Sequence, residues 1–216
     1  MSAIRLGTRA STLATTQSEM VARLLRSEGL DVDLTTITTH GDTSTASLAA
    51  MGGIGVFASA IRATLLKGEA DIAVHSFKDL PTGRPLGLAI GAVPARADPR
   101  DALVARDGLT LHDLPQEASV GTGSPRRAAQ LLAVRPDLTI VDIRGNVDTR
   151  LGRVKGLGHY AKGGGKEDLD AVVLAASGLA RLGHSGTVTE FLDPSVVLPA
   201  PAQGALAVEC LSLIHI

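Results

Sequence analysis

The sequence predicts an α/β protein built as two domains with mostly parallel sheets. Short aliphatic and β-branched runs alternate with segments of helical apolar spacing, the order that builds parallel sheets. Two proline-bearing stretches, 94–99 and 194–201, bracket a middle block with its own strand–helix series. The chain therefore leaves one domain, builds a second and returns. The predicted domains are 1–97 together with 195–210, and 98–194, with 211–216 as a tail. At 216 residues and 44% apolar content the chain can fill two such cores.

In the first domain a strand at 4–7 turns into a helix capped by Ser11, with Leu13, Met20, Val21, Leu24 and Leu25 on one apolar face. A β-branched strand at 32–39 ends in the turn His40-Gly41-Asp42. Phe57, Ile61 and Leu65 recur at helical spacing ahead of Gly68, which predicts a helix over 57–67. A buried strand follows at 70–74. In the middle block strands are predicted at 118–120, 138–143 and 170–175, and helices at 126–134 and 147–154. Gly156, Gly158, Gly163, Gly164 and Gly165 predict a mobile surface insertion. The run 205–210 reads as the returning strand.

A net charge of −1 and 2% aromatic residues offer nucleic acid neither a basic surface nor stacking platforms. No stretch approaches the ~18 apolar residues of a membrane-spanning helix, so a soluble cytoplasmic protein is the expectation. The single cysteine, Cys210, excludes an internal disulfide framework, and six scattered histidines give no metal spacing.

Local rules are broken where basic residues open helices. Gly121-Thr122-Gly123-Ser124-Pro125 leads from a strand into a helix with Ser124 as cap and Pro125 at its first position. Arg126 and Arg127 then occupy the first turn, where the helix dipole disfavours cations. A bound anion would relieve the conflict. Two solvated arginines are the alternative, since the dipole effect is only about 0.3–1 kcal/mol per charge. Arg144-Gly145-Asn146 ahead of Arg150 and Arg153 repeats the pattern, and Arg9 precedes Ser11. Strand ends of open α/β sheets face ligand crevices, so these basic starts can serve one cleft. The arginine fork matches carboxylates in pairs, and a phosphate fits the same donors.

His75-Ser76-Phe77-Lys78-Asp79 leaves the strand 70–74 at its carboxyl end. Asp79 either pairs with Lys78 or a nearby arginine, or faces a cationic intermediate and exchanges protons with a substrate N–H. His75 and Ser76 do not make a hydrolase pair, because neighbours on a strand point to opposite faces.

The segments 7–14, Gly41-Asp42, 52–57, 70–79, 98–101, 121–127, 144–147 and 201–204, in this order, resemble the successive signatures of the porphobilinogen deaminases (hydroxymethylbilane synthases). The resemblance implies two domains of type II periplasmic-binding-protein-like architecture with two interdomain crossings. It also implies a third, α+β domain, absent from this chain, that anchors the cofactor. The implied activity is a transferase reaction of tetrapyrrole (haem) biosynthesis. Four porphobilinogen units are joined head to tail on a covalently held dipyrromethane, with loss of ammonia, and hydroxymethylbilane is released by a monomeric enzyme.

By the same resemblance Asp79 is the catalytic carboxylate. Arg9, Ser11, Lys78, Thr122, Ser124, Arg126, Arg127, Arg144, Arg150 and Gln203 would bind the acetate and propionate arms of cofactor and substrate. Ile54 stands where many relatives carry a lysine. The family's anchoring cysteine lies in the third domain, and Cys210 on the returning strand is not that residue. Residues 211–216 do not continue the family pattern and read as a truncation or fusion scar, so the chain by itself is expected to be inactive. The alternative is a non-catalytic two-domain polyanion-binding protein on the same fold. Asp79 beside Lys78 favours the enzyme.

Overall fold

The computed structural model describes residues 2–37, 56–83 and 85–212. Its contacts divide the chain into two units, Met1–Ala97 with Ala205–Ile216, and Asp98–Gly204. The turn at His40, the glycine segment with Ile54, the side chain of Phe57 and the last four residues lie outside the described residues.

In the first unit β1 (Ile4–Arg9), β2 (Val32–Ile37), β3 (Ile72–Ser76), β4 (Leu88–Ala92) and β10 (Leu206–Leu211) form one sheet in the order β2-β1-β3-β10-β4. Helix α1 (Thr12–Ser27) covers one face, where Val21 and Ala22 pack with Leu6, Val74, Leu206 and Val208. Helix α2 (Val56–Leu66) covers the other, where Ile61 and Leu65 meet Ala70, Ala73 and Leu88. Alternate residues of β3 thus serve opposite layers, as strand geometry requires. Met20 and Leu24, expected on the buried face of α1, are exposed. The buried stripe runs through Gln17, Ser18, Val21 and Ala22 instead, whose smaller members let the helix seat closely on the sheet.

In the second unit β5 (Asp101–Ala105), β6 (Ser119–Gly121), β7 (Thr139–Val141), β8 (Ala171–Ala175) and β9 (Glu190–Phe191) are ordered β7-β6-β8-β5-β9. Helices α3 (Pro125–Val134), α4 (Val147–Leu151) and α5 (Ala176–Arg181) complete the unit. Leu103, Val120, Leu131 and Val173 fill one core layer, and Val104, Leu151, Val172 and Leu179 fill the other. Burial on both faces explains why β5 and β8 are continuously apolar rather than alternating.

Three expectations need correction. The pairing is parallel within β2-β1-β3 and β7-β6-β8, but β10 and β5 run antiparallel to both of their neighbours, so each sheet is mixed. Neither strand is reached through a crossover helix, which removes the constraint toward parallel pairing. The return to the first unit falls at 204/205 rather than at 195. Val197 is fully buried in the second core, the Leu198 amide donates to Gln130 at 2.8 Å, and Gln203 donates to the Pro99 carbonyl at 2.8 Å. The glycine-rich stretch is a packed insertion. It contains a 3-10 turn at Gly158–Tyr160, Tyr160 packs against the second core, and a Cβ on Gly165 would sit 1.8 Å from the Gly152 carbonyl oxygen. Gly165 is therefore required by close backbone approach rather than by mobility.

Candidate functional site

In the first unit the carboxyl ends of β1 and β3 meet the start of α1. Ser11 caps α1 by accepting from the Ala14 amide at 3.4 Å. Beyond β3 the chain makes a 3-10 turn, Phe77–Asp79, held by Phe77 N donating to the Ala205 carbonyl and Leu80 N to the Phe77 carbonyl, both at 3.1 Å. Buried Leu80 anchors the turn and leaves Lys78 and Asp79 exposed. Arg9, Gln17, His75, Ser76 and Asp79 line a small open pocket of about 30 Å³. Ser76 turns toward α1, donating to Gln17 Oε1 at 3.1 Å, whereas His75 faces Glu209 of β10, so the two neighbours do point apart. Arg9 and Asp79 thus share one pocket, with Ser11 and Lys78 carried by the segments that follow β1 and β3.

In the second unit Ser124 caps α3, accepting from Arg127 N at 3.4 Å, while the Ser124 amide donates to Thr122 Oγ1 at 3.2 Å. Asn146 caps α4, accepting from Thr149 N at 2.8 Å. Thr122 N donates to the Val141 carbonyl at 3.0 Å, and a Cβ on Gly123 would lie 2.7 Å from the Ile143 carbonyl oxygen. The loops ending β6 and β7 are therefore in backbone contact, which brings Thr122 and Ser124 beside the segment carrying Arg144 and Arg150. Arg150 Nε donates to the Gly145 carbonyl at 2.9 Å, and both arginines are partly exposed.

Arg126 and Arg127 are placed differently from the expectation. Their anion is the protein's own Asp101, a fully buried carboxylate at the start of β5. Arg127 reaches Asp101 Oδ1 at 2.6 Å, Arg126 reaches Oδ2 at 2.8 Å, and Gln203 Nε2 adds a hydrogen bond to Oδ1 at 2.7 Å. Arg127 also donates to the Val173 carbonyl, and Arg126 to that of Leu198. The conflict between these cations and the helix dipole is thus relieved internally. Burial pushes the Asp101 carboxyl up, but Arg127, Arg126 and Gln203 together hold it below the usual carboxylate range.

Sequence reasoning missed Asp101 as the hub of this network, although a carboxylate opening a wholly apolar strand was its visible signal. It also missed Arg181, the last residue of α5. One Arg181 nitrogen donates to the Gly204 carbonyl at 2.7 Å, Nε is buried without a partner, and no described carboxylate pairs with it. Burial pulls its guanidinium below the usual arginine value. A short helix ending in arginine carries no signal of such partial burial.

These features define a two-unit α/β fold of the periplasmic-binding-protein class, with arginines and the accessible carboxylate of Asp79 at strand ends. Solved structures agree on the fold. A periplasmic substrate-binding protein of an ABC transporter from Coxiella burnetii matches over 97% of this chain and 85% of its own, at 16% identity and a TM-score of 0.54. A nutrient binding protein from Burkholderia cenocepacia bound to methionine matches over 96% and 84%, at 14% identity and a TM-score of 0.55.

The chain belongs to the porphobilinogen deaminase family: the family model "Porphobilinogen deaminase, dipyromethane cofactor binding domain" matches residues 4–213. It is 97% identical to the porphobilinogen deaminase of Cutibacterium acnes, over 97% of this chain and 63% of that protein. It is 60% identical to that of Micrococcus luteus, over 97% of this chain and 57% of that protein. The chain thus spans roughly three-fifths of these relatives.

Two features fit the acidic dipyrromethane cofactor that the matched family model names. Arg181 is a partly desolvated cation with no described counter-ion, and such a group is costly unless an anion or water reaches it. Arg144 and Arg150 add accessible guanidiniums beside hydroxyl-bearing Thr122 and Ser124.

Proposed function

We propose that this chain forms the cofactor- and substrate-handling part of a porphobilinogen deaminase, the reading over which a non-catalytic polyanion binder is the alternative. The observation that carries it is Arg181, a half-buried guanidinium with a buried, unpartnered Nε that lacks an acid among the described residues, while Arg126 and Arg127 have one. In each condensation the aminomethyl C–N bond of porphobilinogen breaks and ammonia leaves. A C–C bond forms from that methylene to the free α-carbon of the preceding pyrrole, and the α-carbon's proton is lost. The dipyrromethane, when bound, supplies the first such pyrrole carbon.

Asp79 accepts pyrrole N–H groups and offsets the positive charge that grows as ammonia departs. Arg9, Ser11 and Lys78 bind acetate and propionate arms in the first unit. Arg144, Arg150, Arg181, Thr122 and Ser124 do so in the second, and charge-assisted pairs of this kind fix ring orientation. Arg126, Arg127 and Gln203 act mainly by holding the α3 start around Asp101. The same reading gives a monomeric cytoplasmic enzyme with small-molecule partners, and the net charge of −1 supports the lack of a nucleic-acid partner.

Calorimetric titration of the chain with porphobilinogen tests this reading. Arg181→Met is expected to weaken binding at least about tenfold, the scale of one charge-assisted contact, without lowering the thermal midpoint, since a partly buried cation with no described counter-ion is removed. Lower stability with unchanged affinity would make Arg181 a structural residue and favour another function.

A further inference from the structure

Helix α5 ends in a Schellman turn. Gly183 takes a φ of 76° and its amide donates to the Ala180 carbonyl at 3.1 Å, while the His184 amide donates to the Leu179 carbonyl at 2.8 Å. Thr187 donates to the His184 carbonyl from N at 3.0 Å and from Oγ1 at 2.8 Å, so the histidine backbone is held on both sides. The residue after the glycine of such a turn commonly packs an apolar side chain back onto its own helix. Here it is a histidine that reaches another helix. His184 Nε2 lies 2.7 Å from Oδ1 of Asp148 in α4, 36 residues away. A carboxylate only accepts, so Nε2 carries the hydrogen in the neutral and the charged ring alike, and the bond does not depend on titration. Tyr160, from the packed insertion, meets the His184 ring edge to face at 5.1 Å.

Helix α4 has only five residues, too few to hold a direction by its own hydrogen bonds. Leu151 anchors it in the apolar layer that also contains Leu179 of α5. Apolar contact is non-directional and does not fix the rotation of the turn about that anchor, whereas a short hydrogen bond from a ring on a fixed backbone does. Arg150 sits two residues beyond Asp148 on this turn, and Arg181 lies three residues before His184.

We propose that His184 is a positioning residue for the pyrrole ligand: through Asp148 it fixes the aim of Arg150 relative to Arg181. The proposal rests on the function proposed above, in which both arginines bind the ligand's carboxylate arms. Side chains 21% and 34% exposed make a pair that contributes little to overall stability, so its effect falls on geometry and thereby on affinity.

The test is porphobilinogen calorimetry together with chemical denaturation of the same chains. His184→Phe keeps a ring against Tyr160 and removes the donor. It is expected to weaken binding roughly three- to tenfold, the scale of one coupled pair, with the denaturation midpoint unchanged. His184→Gln, whose amide nitrogen replaces Nε2, should bind within about twofold of wild type. Asp148→Ala should weaken binding as His184→Phe does, and the double variant no further. With Arg150→Met already in place, His184→Phe should add nothing. Unchanged affinity in His184→Phe, or in Asp148→Ala should the first not fold, would overturn the proposal, as would a full further loss on the Arg150→Met background. Binding weakened by Arg150→Met but not by His184→Phe would overturn this proposal alone. A wild-type chain that does not bind porphobilinogen would sink the functional reading and this proposal together.

Discussion

Asp79→Asn, made in a protein that carries this chain within the full length of its relatives, is expected to lower porphobilinogen turnover at least about a hundredfold, the scale of positioned acid–base or electrostatic catalysis. Folding should be unaffected. Asp79 is exposed, and its turn is held by backbone hydrogen bonds from Phe77 and Leu80 and by buried Leu80. Ligand binding should change far less than turnover, since asparagine keeps the size and one accepting oxygen but not the charge that opposes the developing cation. Steady-state kinetics with calorimetry checks this split. Turnover within about threefold of wild type would remove Asp79 from the chemistry.

Asp101→Asn has the largest expected effect on stability. The carboxylate is fully buried between Arg126, Arg127 and Gln203, and asparagine leaves two guanidiniums facing a neutral group inside the second unit. Breaking a buried ionic cluster from one side costs about 3–5 kcal/mol, which removes much of a typical domain's stability. Chemical denaturation should show the loss, and a change under about 1 kcal/mol would mean that the network is not structural. The same carboxyl sets the acid limb. Its folded pKa lies below the unfolded value of about 3.9, so its stabilisation is complete above that pH and is lost as pH falls through the folded value. Asp170 acts in the same sense. Burial opposes its ionised form, but Lys155, Ser119 and Arg106 reverse that effect and hold it far below the ordinary range. Wild type should therefore lose stability below about pH 4, and Asp101→Asn should flatten that limb.

Much of this was legible because local chemistry and tertiary structure agree. Ser11 and Ser124 read as caps and are caps, and Ile61 and Leu65 read as a core face and are buried. Signals failed where the deciding contact is distant in sequence. Strands β4 and β9 have weak patterns and gain their pairing from β10 and β5. The stretch 195–204 was assigned to the first domain because the prolines at 194–201 read as the return boundary, yet Gln130 and Asp101 bind it to the second unit. Arg126 and Arg127 were expected to await an external anion because periodicity cannot place Asp101 against them. Arg181 was invisible for the same reason: whether a guanidinium is drawn partly out of water without an acid depends on the whole fold.

The most direct test of the central claim counts products. A protein that carries this chain within the full length of its relatives is supplied with porphobilinogen, and pyrrole consumed, ammonia released and linear tetrapyrrole formed are followed together. The account predicts four porphobilinogens consumed and four ammonia molecules released per hydroxymethylbilane, over many turnovers, and near-complete loss of all three signals in Asp79→Asn. Tight porphobilinogen binding with no ammonia released from the wild-type protein would contradict it and leave a polyanion-binding protein in its place.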